Sequence, residues 1–145
     1  MAQVVADTSF LFALYGHDVH TPAAQAWVRS NRHPITLTSL QAFELGNAFR
    51  FGAFRKAIAS ADAWGSLAAF AADVQAGNLQ IVDHDLAAVV AEAARLSERH
   101  TLTGGHRSFD VLHVAAAKVL GAKMFLTFDA NQRKLATAAG LAVAP

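Results

Sequence analysis

A three-layer α/β/α sandwich around a mostly parallel sheet of four or five strands is the fold class this sequence predicts. Three observations predict it. Short apolar runs alternate with helix-patterned segments along the whole chain, the order that parallel βαβ units produce. The apolar runs are continuous, as in VVA and FLT, and do not alternate with polar residues, so both faces of each strand are covered. The 145 residues, 54% hydrophobic and 16% charged, are enough for one domain, residues 1–145, with a substantial core.

The elements follow in order. Residues 3–6 form a valine-rich strand, and residues 9–15 a short helix with Asp7 and Thr8 as capping residues. Thr21 caps a second helix through residue 30, with Pro22 at its first helical position, where a missing N–H costs nothing. Residues 34–38 (PITLT) are a second strand, 39–54 a long helix, and 57–75 another that Gly77 ends. A third strand spans 79–82 and an alanine-rich helix spans 85–100. Residues 101–106 (TLTGGH) read as a loop, because paired glycines precede the next apolar run. Residues 108–120 are a helix ended by Gly121, 123–127 a fourth strand, 130–139 a helix ended by Gly140, and 141–144 a final edge strand.

Composition excludes several classes. The chain holds 33 alanines and no cysteine, so a disulfide framework, a zinc ribbon and thiol catalysis are ruled out. A net charge of +1 does not mark a nucleic-acid protein, and any such recognition must rest on local placement. Charges interrupt every apolar window, and no charged start leads into an apolar core. The expectation is a cytoplasmic protein without a membrane span.

In a parallel sheet, ligands bind beyond the carboxyl ends of the strands, so acids there carry the functional signal. Asp7 ends the first strand and Asp129 the fourth. Asp83 also ends a strand, and it warns that such an Asp is often only a helix cap. Glu44 is one of only three glutamates. At about 100° per residue it shares a helix face with Leu40, Asn47 and Phe51, with Phe43 and Phe54 alongside. That face is expected to be buried, where a carboxylate must be paired, protonated or metal-bound, unless the helix has two apolar sides and Glu44 reaches solvent. Asp110 opens a nearly apolar helix on a face continuing through His113 and Ala117. Its bland role is to complement the helix dipole, and that of His113 is to donate to a backbone carbonyl. Four converging acids repel one another, and a divalent cation removes that repulsion. Oxygen-only ligands select magnesium or manganese, which suits phosphoester chemistry.

These residues, in this order, resemble a known family. Asp7-Thr8-Ser9 follows an N-terminal strand, Glu44 lies in a mid-chain helix, Asp110 stands in RSFDVLHVAAA, and Thr127-Phe128-Asp129 follows a strand. The pattern resembles the PIN domain, and within it the VapC-type ribonuclease toxins of bacterial toxin–antitoxin pairs. The likeness covers essentially the whole chain, and the ordered quartet carries it. It implies a PIN-like fold and a metal-dependent endoribonuclease. It also implies that Asp7 is the central ligand for magnesium or manganese, with Asp110 and Asp129 completing the shell. Glu44 would hold a second ion or orient the attacking water. Thr8 or Ser9 would support the first acid, and Thr127 would support the metal ligands or bind phosphate. The implied partners are an RNA substrate, a cognate antitoxin and a second copy of the chain.

A non-catalytic PIN-like module that binds RNA or serves as a scaffold is the alternative reading. An aspartyl-phosphate phosphatase would need an acid two residues after Asp7, where Ser9 stands. The segment SFLFALY and the Phe49 side of the long helix carry surplus apolar residues. They are either buried on both sides or form a patch that a partner covers.

Overall fold

The computed structural model describes residues 3–145. Its elements run β1 (Gln3–Ala6), α1 (Thr8–Tyr15), α2 (Thr21–Ser30), β2 (Ile35–Leu37), α3 (Ser39–Phe54) and α4 (Ser60–Ala76). Then come β3 (Leu79–Ile81), α5 (Leu86–Gly104), α6 (Ser108–Val119), β4 (Ala122–Leu126), α7 (Ala130–Ala138) and β5 (Ala142–Ala144). The five strands form one parallel sheet in the order β3-β2-β1-β4-β5. From β1 the chain builds outward through β2 and β3, then crosses to the other side for β4 and β5. The reversal therefore falls between β1 and β4, the place where open α/β sheets leave a crevice.

Successive residues of a strand point to opposite faces, and the central strands fill both. Val5 and Phe125 enter one core with Val89, Val114 and Leu135 of α5, α6 and α7. Ala6 and Leu126 enter the other with Phe10, Leu11, Leu45 and Phe49 of α1 and α3. This double burial is the reason that the strands read as unbroken apolar runs. Among the described residues, no helix is long and apolar enough to cross a membrane.

Four local expectations are corrected. Thr21 is the first residue of α2 and not its cap: His20 occupies that position without a side-chain cap bond. The Thr21 hydroxyl instead donates to the carbonyl of Ala13, tying α2 back to α1 at 2.7 Å. The TLTG segment is the last turn of α5, and only Gly105, at φ 65°, breaks the helix. Asp83, read as a helix cap, is exposed, and it is Asp85 that caps α5 by accepting the N–H of Ala88. Finally, the buried face of α3 is the opposite of the one expected. Leu45 and Phe49 are in the core, while Phe43, Phe51 and Phe54 are 63%, 53% and 79% exposed.

A capping box fixes the start of α3. Thr38 receives the N–H of Leu40, and the Gln41 side chain accepts the N–H of Thr38 at 2.8 Å. Gln41 is itself fully buried, so the first turn of α3 is locked to the core. Glu44 follows one turn later and inherits that orientation.

Candidate active site

The first acid sits at the carboxyl end of β1, where the backbone N–H of Asp7 still bonds to Leu126 of β4 at 2.9 Å. Asp7 is the N-cap of α1 and only 3% exposed. Its Oδ1 accepts the N–H of Phe10 at 2.9 Å and the hydroxyl of Ser9 at 2.7 Å. Its Oδ2 accepts the hydroxyl of Thr127 at 2.5 Å. Burial pushes the Asp7 carboxyl up from 3.8 to about 6, against the opposing effect of the bonds from Thr127, Phe10 and Ser9.

Thr127 follows β4 directly and is completely buried. While its hydroxyl donates to Asp7, its oxygen accepts the N–H of Asp129 at 3.1 Å. The Ser9 hydroxyl lies 3.2 Å from it and accepts the N–H of Phe128. Thus Ser9 and Thr127 stitch together the ends of β1 and β4. Asp129 is half-buried and caps α7, accepting the N–H of Gln132 at 2.8 Å. Gln132, which no sequence pattern singles out, is buried and donates to the carbonyl of Asp110 at 3.1 Å. That bond fixes α6 relative to α7, and so Asp110 relative to Asp129.

Asp110 is half-buried in the first turn of α6. Burial raises its pKa; Arg107 at 3.4 Å opposes this, and the charges of Asp129 and Glu44 add to it. The mutual effect places the acids within electrostatic reach of one another. The Glu44 carboxylate lies 3.4 Å from Nε2 of His113, which is 1% exposed and also 3.4 Å from the hydroxyl of Thr8. Burial raises the pKa of Glu44, but hydrogen bonding from His113 and Thr8 outweighs it and leaves the group lowered. His113 therefore does not face a backbone carbonyl, as expected, but the glutamate. Its Nδ1 is buried without a partner, so the tautomer that avoids an orphaned donor carries the proton on Nε2.

All four acids line one cleft of about 360 Å³ with Thr8, Ser9, Arg107 and Phe128. Of the cations in the sequence, Arg107 stands at this cleft, with its side chain 82% exposed. As placed, no three His, Asp or Glu side chains among the described residues close on a single point that could hold an ion. Each acid has a protein partner: Glu44 has His113, Asp110 has Arg107, and Asp129 has the end of α7. The donor set still fits a hard divalent cation, being all carboxylate and hydroxyl oxygen around a buried acid whose pKa is raised.

The family model described as the PIN domain matches residues 4–138. Among solved structures, VapC20 of Mycobacterium tuberculosis, described as a sarcin-ricin loop cleaving toxin, superposes with a TM-score of 0.67 at 18% identity over 96% of each chain. VapBC2 of Rickettsia felis, bound to a DNA fragment from its promoter, gives a TM-score of 0.66 at 15% identity, covering 97% of this chain and 96% of the other. FitAcB of Neisseria gonorrhoeae gives 0.63 at 17% identity, covering 99% and 97%. No curated protein sequence is a significant match. At these identities the structural likeness establishes the fold, and the family match covers the strand ends and helices that carry all four acids. The chain belongs to the PIN domain family.

Proposed function

We propose that the chain is a magnesium- or manganese-dependent endoribonuclease, the toxin of a VapBC-type toxin–antitoxin pair, acting as a single domain over residues 1–145 in the cytoplasm. The observation that carries the reading is the convergence of Asp7, Glu44, Asp110 and Asp129 on one cleft at the reversal point of the sheet. A divalent ion bound there would activate water and neutralise charge on the phosphoryl oxygens.

Asp7, Asp110 and Asp129 are the residues to hold it. An ionised carboxylate offers about four lone-pair positions. Asp7 uses three of them on Phe10, Ser9 and Thr127, so the carboxylate is held rigidly with a position to spare. Glu44 stays ionised at neutral pH because its pKa is lowered. It therefore accepts a hydrogen bond from water and orients it, or holds a second ion. Thr127 fixes the direction of Asp7, and Thr8 and Ser9 hold the neighbouring side chains. Arg107 at the rim is placed to meet a phosphate.

The apolar surplus supports the partners. A second cleft of about 560 Å³ lies next to the acids, lined by Phe12, Phe49, Phe51 and Ile58. Phe54 and Trp64 of α3 and α4 stand out into solvent at 79% and 61% exposure. An antitoxin segment and a second copy of the chain are the occupants these apolar surfaces suit. The deciding experiment is cleavage of total RNA with chelator and after return of magnesium or manganese, alongside calorimetry of magnesium binding. Equal cleavage in excess chelator overturns the metal dependence. Neither cleavage nor magnesium binding favours the non-catalytic module instead.

A further inference from the structure

One wall of the acidic cleft is aromatic and is not used by any of the roles above. Trp27 of α2 meets the buried ring of Phe10 edge to face, with centroids 5.9 Å apart. On Phe10 lies Phe128, nearly parallel at 10° and 5.7 Å. On Phe128 lies His20, again at 10° and only 4.5 Å. The stack thus starts in the core with Phe10, passes through half-buried Phe128, and ends on an exposed imidazole. Phe128 is the only ring that His20 meets among the described residues. Both Phe128 and His20 line the cleft with Asp7 and Asp129.

The loop that presents His20 is fixed by its own bonds. The Thr21 hydroxyl donates to Ala13 and lies 3.3 Å from the carbonyl of Gly16, while its oxygen accepts the N–H of Asp18 at 3.0 Å. The Asp18 carboxylate in turn accepts the N–H of His20 at 2.7 Å. A ring held parallel to a stack and left open to solvent beside a phosphodiester site suits the flat face of a base. Single-stranded nucleic acids are commonly held in this way, because every base has a π-face.

We propose that His20 is the stacking platform for one nucleobase of a single-stranded RNA, next to the phosphodiester that the acids address. This inference rests on the ribonuclease reading above. It makes His20 a determinant of which unpaired sites are accepted, with Phe128 and Phe10 as its rigid backing.

The test begins by mapping a cleavage site on total RNA and synthesising a short single-stranded RNA that spans it. Each nucleotide flanking the cut is replaced in turn by 2-aminopurine or by an abasic residue, and binding is measured with calcium as the supporting ion. In the wild type, 2-aminopurine fluorescence is quenched at one flanking position. His20→Ala removes the quench and weakens binding roughly 5- to 150-fold, whereas His20→Phe restores both. The abasic substitution at that position weakens wild-type binding to the same extent and adds nothing to His20→Ala. Independent, additive effects of the two changes overturn the proposal and leave His20 as a fastener of the loop. So does unchanged RNA binding by His20→Ala with weakened association of a co-expressed partner protein, which would assign the ring to a protein contact. If the wild type neither cuts nor binds RNA, the ribonuclease reading fails and this inference fails with it. Cleavage that is intact and indifferent to His20→Ala overturns this inference alone.

Discussion

Replacing Asp7 by asparagine in the metal-free protein should stabilise the fold. The acid is 3% exposed, and burial raises its pKa from 3.8 to about 6. Because the folded-state value is raised, the unfolded chain ionises first as pH rises. Stability is then lost progressively between about pH 4 and pH 6, and the loss is complete above that window. At about 1.36 kcal/mol per pH unit, the full penalty at neutral pH is on the order of 3 kcal/mol. Asparagine stands in for the protonated acid: its Oδ1 can still cap Phe10, and its amide can donate to the Thr127 oxygen. For a chain of this size the gain corresponds to a rise in Tm of roughly 6–12 °C. The assay is thermal unfolding in chelator across this pH range. Below pH 4 the two proteins should melt together, and from pH 4 to 6 they should diverge. With excess magnesium the order should close or reverse, since only the wild type gains ligand stabilisation. An Asp7→Asn variant that is folded but no more stable at neutral pH would refute the strained-carboxylate argument.

Other outcomes follow from the same geometry. Glu44→Gln, Asp110→Asn and Asp129→Asn should each lower RNA cleavage by at least about 100-fold while circular dichroism is unchanged, since ligand loss disables a metal site. Asp83→Asn, on an exposed residue, should cleave like the wild type; the reverse pattern for Asp83 and Asp129 would mean the wrong strand-end acid was chosen. Thr127→Val should cost about 1–3 kcal/mol in denaturant unfolding, because the buried Oδ2 of Asp7 and the part-buried N–H of Asp129 both lose their partner. Thr127→Ser should recover most of that loss. Phe49→Ala should destabilise by roughly 3–5 kcal/mol. Phe54→Asp should leave stability unchanged and reduce self-association in light scattering, and a Phe54→Asp protein that unfolds would contradict the exposed placement of that ring.

Much of this molecule was legible in the chain, because its signals are local. The strands read as apolar runs since Val5 and Ala6, or Phe125 and Leu126, each fill a core on opposite faces. That Asp7 and Asp129 stand at one edge of the sheet is legible because they end strands of the same direction. The face of α3 was misread for a physical reason. Its phenylalanines lie on more than one side, so periodicity alone cannot say which side packs. The packing of α1 decides it, putting Phe12 on Phe49 with ring centroids 4.6 Å apart. Periodicity puts Glu44 on a buried face, whereas its face opens onto the cleft. The partnership of His113 with Glu44 and Thr8, and that of Gln132 with Asp110, join α3, α6 and α7 across the fold. No local pattern encodes such pairs. The run-on of α5 through TLTG is not legible because paired glycines read as one loop, although only Gly105 adopts the left-handed conformation that stops the helix.

The Thr127–Asp7 bond joins residues 120 positions apart, and this dictates an order of events during synthesis. Asp7, at the end of β1, has no partner in Thr127 until β4 has been made and has slotted in beside β1. By then α1, α3 and α4, with the apolar cleft between them, have long been outside the exit tunnel. The apolar cleft is therefore built from the early part of the chain, and the acidic cleft is closed by the late part. A growing chain completes its apolar cleft before it has assembled its cluster of acids.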